Sequence, residues 1–458
     1  MTLRSFGLLL AVVAACETTD AATDAATDRE PDASFDRPPA APRVFRPAGC
    51  AHAVATPAGT TRFTVDDRDT FGAAPAPRHV HVSWPADPAT TVAALWRTDA
   101  DTRATVMRLG TAPDRLDREV LGAATTARAL TGEVTWHEAH ACGLVPDTTY
   151  YYRVGGEGNW SEVQTFKTAP GRPDVEVAFA VTGDSRDSMA VWGSVQARVL
   201  SVAGARQPDF ELFSGDAIPY GSPDDAWDGW FEAAAPTMRR MPFMQAHGNH
   251  EALSVAYLLE VALPQAGSPA QDELYYSFDY GPVHVVVLDD TPYDYDYAGG
   301  LFGAQVAWLR RDLAAHRARR REVPWVVVVS HKAPFSASAH SEDGDVTSIR
   351  ATLPPVFDEL GVDLVLSGHE HNFEVTRELD GRGGPPVGRR GVVYVVSGGA
   401  GANLYELYPS PWRRYGERVN HFLLARATQR SFELTPYRVD GSVMAEGRVV
   451  LTPRPPPP

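Results

Sequence analysis

From about residue 76 to residue 168 the chain runs in short segments, "RHVHVSW", "TVAALWRT", "ATVMRLG", "EVTWHEAHACGL", "TTYYYRVG" and "SEVQTFKT", divided by turn-forming residues. Short strands at this spacing predict a small antiparallel β-sandwich over 76–170. After "PGRPD" the texture changes: apolar runs long enough for one buried strand alternate with helix-like stretches such as "SMAVWGSVQARVLSVAG" and "GAQVAWLRRDLAAHRARR". This alternation predicts an α/β domain over 174–452. A segment over 43–75 precedes the sandwich, and a proline-rich tail over 453–458 closes the chain.

The first fifteen residues, "MTLRSFGLLLAVVAA", carry one early cation and an apolar stretch too short to span a bilayer as a helix, which predicts an export signal. The run ends in "VAAC", which resembles a bacterial lipobox and implies cleavage before Cys16 and a lipid anchor in the cell envelope, periplasmic or at the outer surface. A plain secretory signal with an incidental cysteine is the alternative. Residues 16–42 then read as a lipidated cysteine and a disordered acidic tether. With Cys16 assigned to lipid, Cys50 and Cys142 are left as a possible disulfide pair in an oxidising compartment, or as two separate thiols. The net charge of −16 argues against a nucleic-acid partner held through phosphate.

Candidate chemistry lies in a recurrence. "VEVAFAVTGD" ends at Asp184, "PDFELFSGD" at Asp216, "MPFMQAHGNHE" at Asn249 and His250, "PWVVVVSH" at His331, and "VDLVLSGHEH" at His369 and His371. Each apolar run stops at a small residue, and an oxygen or nitrogen donor follows. One such end is a helix cap or a turn. Several parallel strands, however, bring their carboxyl ends to one edge, where α/β folds place ligands. Capping asks for no mixed set of carboxylate, amide and imidazole, whereas a transition-metal site does.

The ordered series GD, GD, GNHE, "VVVVSH" and GHEH resembles the calcineurin-like metallophosphoesterases. The sandwich, with "LVPDTTYYYRV" and "FKTAP", resembles a fibronectin type III module. Together with "YSFDYGPVHVVVLDD" the whole is similar to the purple acid phosphatases. The resemblance implies an α/β domain of two β-sheets flanked by helices, holding two metal ions (Fe, Mn or Zn). It implies Asp216 as the bridge, Asp184 and His371 on the first ion, and Asn249, His331 and His369 on the second. It also implies His250 as a contact to substrate phosphate and His340 as a proton donor to the leaving group. The implied activity is hydrolysis of phosphate monoesters by a metal-activated hydroxide. A phosphodiesterase or nucleotide hydrolase on the same scaffold is one alternative, and a catalytically weak surface binding protein is another.

The chain departs from that family in two places. Pro219 stands where a metal-binding tyrosine is expected, with Tyr220 one residue late, so Tyr220 is expected at the rim rather than on metal. Arg186, in "GDSRD", replaces a glycine, and reads either as a phosphate clamp or as an outward arginine paired with Asp187. Three further stretches carry plainer expectations. His79 and His81 read as an exposed strand face, "RARRR" as a solvated helix end, and "DDTPYDYDYAGG" (289–300) as a solvated loop.

Overall fold

The computed structural model describes residues 43–454 apart from 58–59, 130–131, 205, 222–223, 266–272 and 292–299. The export signal, lipid anchor and tether expected over 1–42, and most of the proline-rich tail, lie outside the described residues.

The N-terminal unit is two facing sheets. Arg62–Val65, Ala123–Ala129, Gly132–Cys142, Thr91–Asp99 and Arg78–Ser83 form a five-stranded sheet in that order, opposite a four-stranded one of Gln164–Lys167, Thr149–Gly155, Val106–Gly110 and Arg118–Leu121. Alternate side chains of the two, among them Val82, Trp96, Leu109, Tyr152 and Phe166, meet in one core. The sandwich thus takes in Arg62–Val65 from the segment read as preceding it. Ahead of it, the hairpin Arg43–Phe45 with Val54–Thr56 is tied to the sandwich by the disulfide Cys50–Cys142. Of the two states left open for these cysteines, the bonded one is present.

The second unit packs a six-stranded sheet against a seven-stranded one. In the first, Phe243–Gln245, Phe210–Phe213 and Val177–Thr182 run parallel. In the second, Val283–Val287, Trp325–Val329, Leu364–Ser367 and Val393–Ser397 do. Their mostly apolar sequences, interrupted by the buried Glu211 and His284, follow from burial on both faces. Val285, Val287, Val327, Val329 and Leu366 face the other sheet. Val286, Val328 and Val365 face the helices Gly300–Arg317 and Gly344–Leu360 through Leu309, Leu313, Ile349 and Phe357. Each such valine contributes about 1.5–3 kcal/mol by leaving water. Across the six-stranded sheet, helix Met189–Val202 is capped by Ser188, whose side chain accepts from the Val191 amide. It buries Trp192, Val195 and Val199 on one stripe.

The two units share a buried seam, which corrects the reading of His79 and His81 as an exposed face. Both are under a tenth exposed. The Arg78–Ser83 strand slips register between Arg78 and His81, with His79 at φ 53°, and the second unit covers that face. Phe231 stacks on both imidazoles, at 4.5 and 4.8 Å. His79 Nδ1 bonds Glu260 Oε1 at 3.0 Å and Nε2 bonds Asp228 at 2.7 Å, while Trp136 Nε1 donates to Glu260 at 2.8 Å. The cationic stretch after Gly300–Arg317 is also less solvated than expected: Arg320 is buried and paired with Asp363 at 2.5 Å.

Candidate metal centre

All five strand ends named from the sequence meet at one place. Three come from the six-stranded sheet and two from the seven-stranded one, at the edge where the parallel strands of both finish. Three donors depart from ordinary backbone: Asp184, Asp216 and His369 adopt φ of 55°, 60° and 66°. Such positive φ costs about 1–3 kcal/mol per residue and persists only where the surroundings impose it. The adjoining glycines permit the convergence. A Cβ on Gly368 would lie 2.1 Å from Asp184 Oδ2, and one on Gly248 would lie 2.3 Å from the Asp216 amide.

One half of the centre joins Asp216, Asn249, His331 and His369. His331 Nε2 lies 2.9 Å from Asn249 Oδ1, 3.3 Å from Asp216 Oδ1 and 3.2 Å from His369 Nδ1. Its other nitrogen donates to the Ser214 carbonyl at 2.8 Å, fixing which atom faces the cluster. The other half joins Asp184, Asp216 and His371, with His371 Nε2 3.6 Å from Asp184 Oδ1 and its Nδ1 donating to Asn403 O at 2.7 Å. Asp216 belongs to both.

The electrostatics are those of a place built for cations. Burial pushes Asp184 well above the usual carboxylate range, and the charge of Asp216 adds to it. Asp216 itself is held well below that range: His331, His250 and Arg186 outweigh its burial. Burial works against charge on His331, yet Asp216 and Asp184 raise it to about 10. His369 stays neutral through burial and the neighbouring His340 and His331, as a metal-binding imidazole must. Asp184 Oδ2 is buried with no hydrogen-bond partner among the described residues. The mixed donor set of the Asp216, Asn249, His331 and His369 half fits a transition metal, whose charge would take the place of the proton that Asp216 and Asp184 otherwise hold on His331.

The other half fits less well. Tyr220 is 56% exposed, its ring 6.3 Å from that of His250, so it lies at the rim as expected. Pro219 offers no side-chain donor, but its carbonyl accepts from His250 Nδ1 at 2.6 Å and turns Nε2 toward Asp216 Oδ2, 3.9 Å away. Arg186 bonds Asp187 at 3.2 Å, but it is not outward: it is 9% exposed, with Nε 3.7 Å from Asp216 Oδ2. Its terminal nitrogen lies 3.4 Å from both His371 Nε2 and the Tyr405 hydroxyl. His340 stands beside the cluster, its ring 4.6 Å from that of His369 and its Nδ1 bonded to Asp343 at 2.9 Å.

Three residues of this neighbourhood went unread in the sequence, and a fourth, Asp290, was read only as part of a solvated loop. Glu251 accepts from the amides of Gly248, Asp216 and Ala217, clamping two motif loops together. Asp290 accepts from the amides of His331 and Lys332. Tyr405 stacks on His371 at 4.0 Å. His247 bonds Thr291 at 2.7 Å. Asp289, Asp290 and Thr291 are buried, which corrects the start of the loop read as solvated; 292–299 lie outside the described residues.

Both units are similar to known proteins. The model of the purple acid phosphatase N-terminal domain matches residues 77–168, and that of the calcineurin-like phosphoesterases matches 179–373. An uncharacterized protein of Mycobacterium tuberculosis is 32% identical over 324 residues, 61% of each chain. The chain therefore spans 61% of the length of that relative. Purple acid phosphatase 21 of Arabidopsis thaliana is 29% identical over 341 residues, 71% of each chain. Among solved structures, purple acid phosphatase PPD1 from yellow lupin seeds shares the fold at a TM-score of 0.65 and 18% identity, over 82% of this chain and 74% of that one.

Proposed function

Because the chain belongs to the calcineurin-like phosphoesterases and carries a purple acid phosphatase N-terminal domain ahead of the catalytic one, we propose that it hydrolyses phosphate monoesters with the help of bound metal ions. The observation that carries this reading is the buried convergence of Asp184, Asp216, Asn249, His331, His369 and His371, flanked by His250 and His340.

Metal ions held there supply Lewis-acid activation of water and a hold on phosphoryl oxygens. The chain's own groups do the rest. His250, oriented by the Pro219 carbonyl, presents Nε2 to a phosphoryl oxygen, and Arg186 presents a buried guanidinium to another. His340, oriented by Asp343, presents Nε2 to the leaving oxygen as its proton donor. No serine or cysteine nucleophile is called for. With no tyrosine side chain from the Pro219 position, the donor set favours Mn, Zn or ferrous iron over ferric iron. The disulfide and the apolar first fifteen residues support export, with an anchor at Cys16.

Hydrolysis of an aryl phosphate monoester and of the matching diester, by wild type and Asp216→Ala with Mn, Zn or Fe added, tests this. Metal-dependent turnover of the monoester, lost in the variant, is expected. Preference for the diester would make the protein a phosphodiesterase, and no turnover with any metal would make it a binding protein.

A further inference from the structure

The two halves of the centre are unequal, and the inequality traces to one residue. Each has its share of donors: Asp216, His331 and His369 lie close enough to hold one ion, and Asp184, Asp216 and His371 another. Asn249 completes the first of these sets, 2.9 Å from His331 Nε2. Among the described residues no equivalent fourth donor serves the second: Pro219 has none to give and Tyr220 is 56% exposed. What stands there instead is Arg186. Its guanidinium lies 3.7 Å from Asp216 Oδ2 and 3.4 Å from His371 Nε2, against the oxygen and nitrogen that an ion in this half must share. The side chain is held in place by Asp187 at 3.2 Å and the Tyr405 hydroxyl at 3.4 Å, and it is 9% exposed. Arginine does not lose its proton in proteins, so this charge is permanent.

We propose that Arg186 is a built-in cation that makes the centre asymmetric. One metal ion is retained by Asp216, Asn249, His331 and His369, and a second enters the Asp184, Asp216 and His371 half only weakly and exchangeably. The proposal rests on the metal-dependent reading above but concerns binding, not turnover. A unit charge about 4 Å from a divalent ion lowers its affinity about 30-fold even at the dielectric constant of water, and more in a buried site. The remaining donors explain why the weak half is not abolished. Asp184 Oδ2 has no hydrogen-bond partner among the described residues, and a cation there would satisfy it.

The test is the number and affinity of Mn²⁺ ions bound per chain by chelator-treated protein, from calorimetry and metal analysis after dialysis, without substrate. Wild type is expected to keep one ion through dialysis and to bind a second at least about 30-fold more weakly than Arg186→Gln binds its second. Arg186→Gly is expected to keep two, and to show the electron paramagnetic resonance signature of a spin-coupled Mn pair that dialysed wild type lacks. Arg186→Gln, which removes the charge but keeps length and polarity, should behave as Arg186→Gly, and circular dichroism checks that each variant is folded. Two ions of like affinity in wild type would overturn the proposal, as would a single retained ion in both variants. Loss of all metal from every protein would overturn the metal-dependent reading itself. Unequal binding without hydrolysis would leave the proposal standing and remove only the catalytic claim.

Discussion

Replacing Glu260 by alanine tests whether the sandwich and the catalytic unit are held as one body. Glu260 follows the helix Val255–Leu259 and is 4% exposed, with Oε1 accepting from His79 at 3.0 Å and from Trp136 at 2.8 Å. Removing the carboxylate leaves a buried indole N–H unsatisfied, at about 1–3 kcal/mol, and strips His79 of one of its two carboxylates. Breaking a buried ion pair from one side costs about 3–5 kcal/mol. The lower end applies here, because His79 keeps Asp228 at 2.7 Å and Glu260 Oε2 has no partner to lose. For the two units melting as one body over residues 43–454, an unfolding entropy of about 2.1 cal/mol/K per residue makes a loss of about 3 kcal/mol lower Tm by roughly 3–4 °C.

The loss depends on pH with a definite sign. His79 titrates above its ordinary 6.5: burial opposes its charge, but Glu260 and Asp228 prevail. Its contribution is full below pH 6.5 and is lost as pH rises through the raised value. Glu260 titrates below its ordinary 4.5, His79 outweighing burial, so its contribution is present above pH 4.5 and is lost as pH falls through the lowered value. The two overlap fully between pH 4.5 and 6.5, and scanning calorimetry in that window is the assay. Glu260→Gln, which keeps an acceptor for Trp136, should lose about half as much. A Tm for Glu260→Ala within about 1 °C of wild type would refute the argument, since 1 kcal/mol corresponds to about that shift.

Glu211, buried beside Thr182 and Gln196, is pushed up to about 7 by burial. The folded state therefore binds the extra proton between pH 4.5 and 7, and Glu211→Gln should gain stability on the order of 3 kcal/mol above that range and none below it, as denaturation at several pH values would show. Tyr220→Phe should leave metal content unchanged and turnover within about twofold, because loss of an exposed hydroxyl at the rim removes no donor. Iron-loaded wild type should show no visible tyrosinate charge-transfer band, and a purple sample would contradict the position given to Tyr220.

How much of this was legible in the sequence follows from what kind of burial each residue has. Strands covered on both faces are mostly apolar, so Val177–Thr182, Phe210–Phe213, Trp325–Val329 and Leu364–Ser367 announced themselves despite the buried Glu211 inside one of them, and the polar residues that follow each marked the sheet edge. Asp290 follows the same rule after Val283–Val287 and could have been found by it, but no glycine sets it off. Glu251 was visible three residues beyond Gly248, and its role of bonding three amides depends on loops brought together from elsewhere in the chain. His79 and His81 were misread because period-two spacing tells which residues share a face, not what covers it. Their partners Asp228 and Glu260 lie 149 and 181 residues away. Tyr405 has no local signal, since its place over His371 is set by the loop that leads from the inner strand Val393–Ser397 to the edge strand Arg413–Glu417.

The most direct test measures bound metal and turnover on the same samples. Protein stripped with a chelator is reloaded in steps with Mn²⁺ or Zn²⁺, and the rate on an aryl phosphate monoester is plotted against ions bound per chain, with His331→Ala alongside. The account predicts no rate without metal, a rate that rises with loading, and, in the variant, loss of both the tightly retained ion and the rate. Turnover that survives complete removal of metal, or full loading with no turnover of any phosphate ester, would contradict it.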